Sequence, residues 1–181
     1  SKWLALIDID EFILPVKGDS VANLLETYFP KAAGVVLNWQ TFGTSNVQEI
    51  KENELMIEKL ILKHGPDHWR RGIYKSIVKP IHIKNCDNPH YCNYNEHYYA
   101  VNTNNLPHVS GGGTSHVLLD IMRINHYWAK DEKFIREEKI PRYAQWGSTE
   151  DVQQMVRDMN IVKDLEIQRF VPQLKKTMGF N

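Results

Sequence analysis

The stretch Trp3-Leu4-Ala5-Leu6-Ile7-Asp8-Ile9-Asp10-Glu11-Phe12-Ile13 lies near the start of the chain and indicates the kind of fold to expect. Its apolar residues do not alternate with polar ones, which predicts a strand at about residues 3–9 that is buried on both faces. Side chains two apart on a strand share a face, so Asp8 and Asp10 are expected to converge on one ion. Such hard oxygen ligands suit Mg²⁺ or Mn²⁺. A strand running into an acidic turn is the alternative.

The composition fits one domain with a sizeable core. The 181 residues carry 22 Lys and Arg against 22 Asp and Glu, so the basic footprint of a nucleic-acid binder is missing. No apolar run is long enough to predict a membrane span, and no signal or transit peptide is recognised. Because the chain opens with Ser1 just ahead of an expected buried strand, we expect that residues upstream have been lost.

The two cysteines, Cys86 and Cys92, are interpreted as loop residues. Without a secretory signal or a disulfide framework, a reducing compartment is the default expectation. With His90 and His97 they could form a zinc site, but their spacing matches none of the usual structural zinc patterns. The expected location is the cytoplasm, with membrane association as an alternative, or the Golgi lumen if the source is eukaryotic.

Strands and helices interleave, which places the chain in the α/β or a mixed class. Asp19 or Ser20 is expected to cap a helix that runs through Phe29. Residues 84–116 are rich in Asn, His, Gly and Tyr, and a loop of this length is usually functional or disordered. The other expected strands are residues 34–39, 74–80 and 118–127, the other expected helices are residues 131–139, 149–159 and 162–176, and the segment up to about Lys63 is ambiguous.

Three further elements carry candidate binding residues. Trp39 ends a strand and could stack on a sugar, with a core tryptophan as the alternative. Lys75 could meet a phosphate as a point charge; a pair of solvated lysines on an edge strand is the alternative, favoured for Lys79. His126 could complete a metal site that carboxylates begin, with a structural histidine as the alternative. Ligands of open α/β sheets collect at the carboxyl ends of strands, which favours a shared cleft.

Several blocks of the sequence follow one another in a recognisable order: Ile7–Ile13, Asn38–Gly43, Lys75–Pro80, Asn88–His90 with Tyr98–Asn102, Ile124–Trp128 and Asp164–Pro172. In this order they resemble the GT-A glycosyltransferases. The resemblance is greatest to the family 2-like and family 92-like enzymes that build surface polysaccharides and glycans. Each block is weak alone, but together they cover nearly the whole chain.

The resemblance implies a partial GT-A fold, in which a Rossmann-like mixed sheet is flanked by helices and followed by a helical tail. Residues 1–145 would be the metal- and acceptor-binding part, and residues 146–181 the tail. Asp10 would bind the ion directly, Asp8 would bind the ion or the ribose of the donor, and His126 would supply a further ligand.

The implied reaction moves a sugar from a nucleoside diphosphate donor, expected to be a UDP-sugar, to a hydroxyl of a glycan, polysaccharide or lipid-linked saccharide. Mn²⁺ or Mg²⁺ is the implied cofactor. Trp39, Lys75 and His90 are the candidates for binding donor or acceptor. Family members carry a nucleotide-binding half of roughly a hundred residues ahead of the Asp-x-Asp strand. The chain is therefore expected to be a fragment that is inactive alone.

An inverting enzyme needs a carboxylate to deprotonate the acceptor hydroxyl. Glu49, Glu52 and Asp67 lie in suitable segments, although surface solvation explains each of them better. Glu11 is a weaker candidate, because it is expected to point away from the face that carries the two aspartates. Two other functions stay open: a carbohydrate-binding module without catalysis, and a Mg²⁺-dependent phosphotransfer or hydrolase enzyme.

Overall fold

The computed structural model describes residues 2–108 and 116–180 and shows a mixed α/β architecture, which confirms the predicted fold class. The glycines at 111–113 of the predicted loop lie outside these residues. The strands are β1 Leu4–Ala5, β2 Glu11–Pro15, β3 Gly34–Thr41, β4 Leu62–Lys63, β5 Tyr74–Val78, β6 Ile83–Asn85, β7 Asn93–Tyr94, β8 Ala100–Val101, β9 Pro107–His108, β10 Met122–His126 and β11 Val162–Lys163. The α-helices are α1 Val21–Tyr28, α2 Met56–Lys59, α3 Glu132–Phe134, α4 Ile140–Gln145, α5 Val152–Asp158 and α6 Val171–Met178.

The chain forms two compact units. The first unit contains Ser1–Gln40 and Trp69–Asn125, and the second contains Thr41–His68 and His126–Asn181. This grouping reflects spatial compactness, so the functional division expected after residue 145 stays a prediction.

A mixed sheet organises the first unit. Within the described residues its strands lie in the order β1-β5-β3-β10-β2, while β8 pairs with β3 and β9 with β8. Strand β5 is antiparallel to both β1 and β3, and β8 is parallel to β3. The lysine-bearing strand β5 is therefore central, so the alternative of a solvated lysine on an edge strand is wrong for Lys75. All five of its residues are buried.

Strand β3 and helix α1 form where the sequence predicts them. All eight residues of β3 are buried, and Leu24 and Leu25 of α1 join its apolar side chains in the main core cluster. Ser20 caps α1, because its hydroxyl accepts a hydrogen bond from the Asn23 amide at 3.3 Å. This cap satisfies one of the amides that the first turn of a helix leaves unpaired.

The predicted strand at residues 3–9 is wrong. Only Leu4–Ala5 pairs there, and the buried strand is Glu11–Pro15, on the other side of the aspartates. The side chain of Ile9 is 94% exposed, so the apolar run does not continue through the core. The structure instead has a strand, an acidic turn and a second strand, which matches the alternative of an acidic turn.

The segment at residues 84–116, expected to be a long loop, contains β-structure where it is described. Strands β6 and β7 pair as an antiparallel hairpin, and β8 and β9 form another antiparallel pair. Cys86 directly follows β6 and Cys92 directly precedes β7, so the hairpin brings the two residues together and they form a disulfide. The expectation of two reduced cysteines is therefore wrong, and the disulfide also occupies the thiols that a zinc site would need.

The second unit contains a small sheet and the remaining helices. Strands β4 and β11 pair antiparallel, so the start of the predicted helix 162–176 is wrong: Val162–Lys163 is a strand, and α6 begins only at Val171. Helix α5 is capped by Asp151, whose carboxylate accepts from the Gln154 amide at 3.0 Å. In the described part of the chain, no helix combines the length and apolar character that crossing a bilayer requires.

Replacing both Cys86 and Cys92 with serine is expected to lower the free energy of unfolding by about 2 kcal/mol, because the cross-link restricts the unfolded chain over a short loop. Urea unfolding at pH 7 measures this difference. Each single variant should lose as much as the double variant, and a reductant should destabilise the parent but not the variants. Equal stability of parent and double variant would contradict the prediction.

Candidate functional site

A tight turn carries the acidic residues between β1 and β2. The Glu11 amide donates to the Asp8 carbonyl at 3.1 Å, and the Asp8 amide donates to Glu11 Oε2 at 2.9 Å. These two reciprocal hydrogen bonds fix the backbone at both ends of the turn. The turn holds Asp8 and Asp10 by loop geometry, whereas the sequence predicted that they share one face of a strand.

Lys75 supplies the positive charge beneath this turn. Its side chain is 1% exposed, and its Nζ lies 2.9 Å from Asp8 Oδ2 and 3.4 Å from Glu11 Oε2. A buried ammonium group is stable only when it is paired, so the two carboxylates explain how a lysine can occupy a central strand. The Asp8 side chain is 56% exposed, so the buried lysine anchors a carboxylate that faces solvent.

Glu11 is the functional-site residue that the sequence analysis placed wrongly. It was expected to point away from the aspartates, but its side chain is fully buried and directed at the Asp8 amide and Lys75. Burial raises the pKa of Glu11 above its ordinary value, although the Asp8 amide and the charge of Lys75 both oppose the rise. Its second oxygen, Oε1, is buried without a hydrogen-bond partner among the described residues.

Asp8 and Asp10 are the residues of the turn that could hold a divalent cation, and this role stays a prediction. Asp8 and Glu11 place two carboxylates against the ammonium of Lys75, and Asp10 belongs to the same turn. Within residues 2–108 and 116–180, no three His, Cys, Asp or Glu side chains are grouped closely enough to hold an ion by themselves. Mg²⁺ is commonly held by one or two carboxylates together with phosphate groups of the substrate. The residues of the turn fit a cation whose remaining ligands come from a diphosphate.

Trp39 and His90 are neighbours in the first unit. Their ring centroids are 5.5 Å apart, and the Trp39 side chain belongs to the main core cluster. His90 Nδ1 donates to the Tyr74 carbonyl at 2.9 Å, and the His90 carbonyl accepts from the Ser76 hydroxyl at 2.8 Å. Both residues are therefore held by β3 and β5, and their contact with a sugar stays a prediction.

His126 ends β10 and belongs to the second unit. The residue is buried, and its carbonyl accepts a hydrogen bond from the Phe42 amide at 2.8 Å. The role of its ring as a metal ligand stays a prediction.

The three candidate bases also lie in the second unit. Lys133 and Lys51 donate hydrogen bonds to Glu49 and lower its pKa to about 2. Such a carboxylate is a weak base at neutral pH. Glu52 and Asp67 are exposed. A role as general base stays a prediction for all three residues.

Replacing Lys75 with methionine is expected to lower the free energy of unfolding by roughly 3 kcal/mol, because the Glu11 carboxylate would remain buried without a cation. Adding Glu11→Gln should recover more than half of the loss, since the unpaired charge is then removed. Urea unfolding at pH 7 gives both values. Lys31→Met, at an exposed position, is the control and should change stability by less than about 0.5 kcal/mol. Full additivity of the two substitutions would contradict the pairing.

The raised pKa of Glu11 predicts a pH dependence. A carboxyl group whose pKa is raised on folding stabilises the fold below its ordinary value of 4.5, and this contribution is lost as pH rises through the folded-state pKa. Between pH 4 and pH 7, the stability of Glu11→Gln should therefore rise relative to the parent. Glu26, whose pKa is lowered by hydrogen bonds from Lys2 and Trp3, is the control. Glu26→Gln should show the opposite trend, and trends of the same sign would contradict the assignment.

The comparison with protein-family models identifies the chain. The model for glycosyltransferase family 92 matches residues 1–169, which include the acidic turn, β5 and the strand that ends in His126. A comparison with curated proteins gives no significant match. The family match covers nearly the whole sequence and agrees with the mixed α/β fold and its helical C-terminal part. The chain belongs to glycosyltransferase family 92.

Proposed function

We propose that this glycosyltransferase domain moves a sugar from a nucleoside diphosphate donor, such as a UDP-sugar, to a hydroxyl of a glycan or polysaccharide acceptor. The observation that supports the proposal is the acidic turn, in which a buried lysine pairs with the solvent-facing carboxylate of Asp8 and two hydrogen bonds with Glu11 hold the Asp8 backbone. A carboxylate held in this way loses little conformational freedom on binding a ligand. Such preorganisation favours recognition of charge that develops during a reaction.

Asp8 and Asp10 would hold Mn²⁺ or Mg²⁺ in this proposal, and His126 is the proposed additional ligand. The carboxylate oxygens of the two aspartates are donors that suit a hard divalent cation. When bound, the cation would act as a Lewis acid and neutralise the negative charge of the departing diphosphate.

Lys75 would act in this site as a positioning residue. Its ammonium group is occupied by Asp8 and Glu11 and is 1% exposed, so its main effect is on the orientation of Asp8. Direct contact of Lys75 with a phosphate is the alternative that the sequence suggests. If Lys75 acts only by positioning Asp8, replacing it should weaken metal binding as strongly as it weakens donor binding.

The disulfide supports a location outside the reducing cytoplasm. Disulfides persist in oxidising compartments and are rare in the cytosol. Of the locations considered from the sequence, the lumen of the Golgi apparatus agrees with the Cys86–Cys92 bond.

Calorimetric titration of UDP-sugars, with Mn²⁺ present and then chelated, separates the possible functions. Metal-dependent binding supports the transferase. Sugar binding that is indifferent to metal would support a carbohydrate-binding module, and phosphate release from a generic phosphate ester would support a hydrolase. Either of these last two results, without metal-dependent donor binding, would overturn the proposal.

Asp8→Asn and Asp10→Asn are each expected to weaken Mn²⁺-dependent UDP-sugar binding, and to lower any transfer rate by about 10²–10³-fold, the loss seen when one charge-stabilising group is removed. Asp120→Asn is the matched control, because Asp120 is an exposed aspartate of the same unit outside the turn. His126→Ala tests the additional ligand. Unchanged metal dependence in both turn variants would contradict the assignment.

A further inference from the structure

The edge of β5 that faces β1 changes its hydrogen-bond donor at the acidic turn. The Leu6 amide donates to the Ser76 carbonyl at 3.5 Å, which continues the antiparallel register of β1 and β5. In that register the next hydrogen bond would join the Asp8 amide to the Tyr74 carbonyl. The Asp8 amide instead turns away and donates to Glu11 Oε2. The turn thus leaves this position of the strand edge to another donor.

The imidazole of His90 takes that position. Its Nδ1 lies 2.9 Å from the Tyr74 carbonyl oxygen. Because a carbonyl oxygen can only accept, Nδ1 carries the proton of the neutral ring, and the other nitrogen, Nε2, holds a lone pair. The ring stands where the backbone of Asp8 departs from the edge of β5. A nitrogen that can accept a proton is therefore placed beside the acidic turn.

Four further contacts hold this imidazole. The His90 carbonyl accepts from the Ser76 hydroxyl at 2.8 Å, and the His90 amide donates to Asn88 Oδ1 at 2.8 Å. The ring packs against the ring of Trp39, and the disulfide closes the loop of residues 86–92 that carries His90. A group held through its backbone and one ring nitrogen loses little freedom when it meets a substrate.

Nε2 takes no part in these contacts. Within residues 2–108 and 116–180, no side chain or backbone group is bonded to it. His90 is partly exposed, and its Nε2 is not one of the buried atoms that lack a partner, so this nitrogen is open to solvent. His108 Nε2 of the same unit, by contrast, is buried. Only the His90 nitrogen of the two can be reached by a substrate.

A structural role explains one nitrogen of His90 and not the other. The carbonyl of Tyr74 needs a donor at the strand edge, and Nδ1 supplies it. The side-chain amide of an asparagine could donate there equally well. The open lone pair of Nε2 is the property that an imidazole adds. Histidine is also the side chain that most often accepts a proton from a reacting hydroxyl near neutral pH.

We infer that His90 is a catalytic residue of the proposed transfer, in which Nε2 accepts the proton of the attacking hydroxyl. The inference rests on the proposed function and assigns a step that it leaves open. In a direct displacement, the hydroxyl proton moves to Nε2, and the oxygen electron pair forms the bond to the anomeric carbon. The bond from that carbon to the diphosphate breaks, and its electron pair leaves with the diphosphate. The imidazolium then releases its proton to solvent.

Long-range ¹H–¹⁵N correlation spectra of the chain, labelled with ¹⁵N in its histidines, test the state of the ring without metal, donor or acceptor. At about pH 8.5 we expect His90 to show a protonated Nδ1 and an unprotonated Nε2. Its signals are assigned by their loss in His90→Asn. A proton on Nε2 under these conditions would overturn the inference.

Two variants separate the roles of the two nitrogens. His90→Asn keeps a donor for the Tyr74 carbonyl but removes the lone pair of Nε2, whereas His90→Phe removes both. The melting temperature should stay within about 2 °C of the parent in His90→Asn and fall by several degrees in His90→Phe. A histidine that only supports the strand edge would make His90→Asn resemble the parent in every respect.

Turnover is measured as release of UDP from UDP-glucose, UDP-galactose and UDP-N-acetylglucosamine, with Mn²⁺ and with methyl glycosides or water as acceptors. His90→Asn and His90→Phe should both lower the rate by about 10²–10⁴-fold and leave the affinity for the UDP-sugar unchanged. His97→Asn is the matched control. The His97 side chain is 88% exposed in the same unit, and asparagine tolerates its positive φ of 69°.

The outcomes separate the inference from the proposed function. Equal rates in His90→Asn and the parent, with metal-dependent binding of the UDP-sugar retained, would overturn the inference alone. A parent that binds the donor but releases no UDP would overturn it too, since no hydroxyl proton is then moved. A parent without metal-dependent donor binding would overturn the proposed function, and the assignment of His90 with it.

Discussion

The ion pair beneath the acidic turn is the constraint on which the proposed nucleotide site depends. Removing the Lys75 ammonium from water is costly, and only close carboxylates make that burial possible. Asp8 and Glu11 supply them, at 2.9 and 3.4 Å from Nζ. Because β5 lies between β1 and β3, the lysine is held by hydrogen-bonded strands on both sides. Through its ion pair with Lys75, the solvent-facing carboxylate of Asp8 is thus held in place by the sheet.

The side chains of β5 alternate between two different chemical environments. Successive side chains of a strand point to opposite faces, so Lys75 lies on one face while Tyr74 and Ser76 lie on the other. The first face carries the buried ammonium and the acidic turn. The second face forms one side of a cavity of about 350 Å³, whose described lining is mainly aromatic and contains no Asp, Glu, Lys or Arg. The charged environment and the uncharged one therefore lie on opposite faces of the sheet, although the same five-residue strand contributes to both.

The sequence predicted the parts of the fold that depend on local signals. The apolar start of β3 and the serine cap of α1 each have a local physical cause, and both elements are confirmed. The first strand was placed wrongly because the apolar residues on both sides of Asp8 and Asp10 look alike, and only pairing decides which are buried. Ile9 is exposed, whereas Glu11 is inside.

The remaining features depend on contacts between residues far apart in the sequence. Lys75 and Asp8 are 67 positions apart, so no local pattern shows that they pair. A signal did exist, because a lysine inside a strand that is buried on both faces needs a countercharge, and the carboxylates of the acidic turn could supply it. The disulfide was missed for a similar reason. It follows from the hairpin of β6 and β7, and the loop-like composition of residues 84–116 concealed that hairpin.

A strongly anionic ligand and a mainly hydroxylated one need different surroundings in a protein. A cavity lined by charges would hold solvent tightly and compete poorly for neutral hydroxyl groups, while an aromatic cavity would give a diphosphate no compensation for its lost hydration. In the first unit, the two faces of one central strand differ in this way. The ammonium group of Lys75 is neutralised by carboxylates on its own face, and the described lining of the cavity on the other face contains no formal charge. A charge placed at Tyr74 or Ser76 would have no countercharge in that lining, and a neutral residue at Lys75 would leave Glu11 unpaired. The surroundings on both faces of β5 therefore restrict which of its positions can carry a charge.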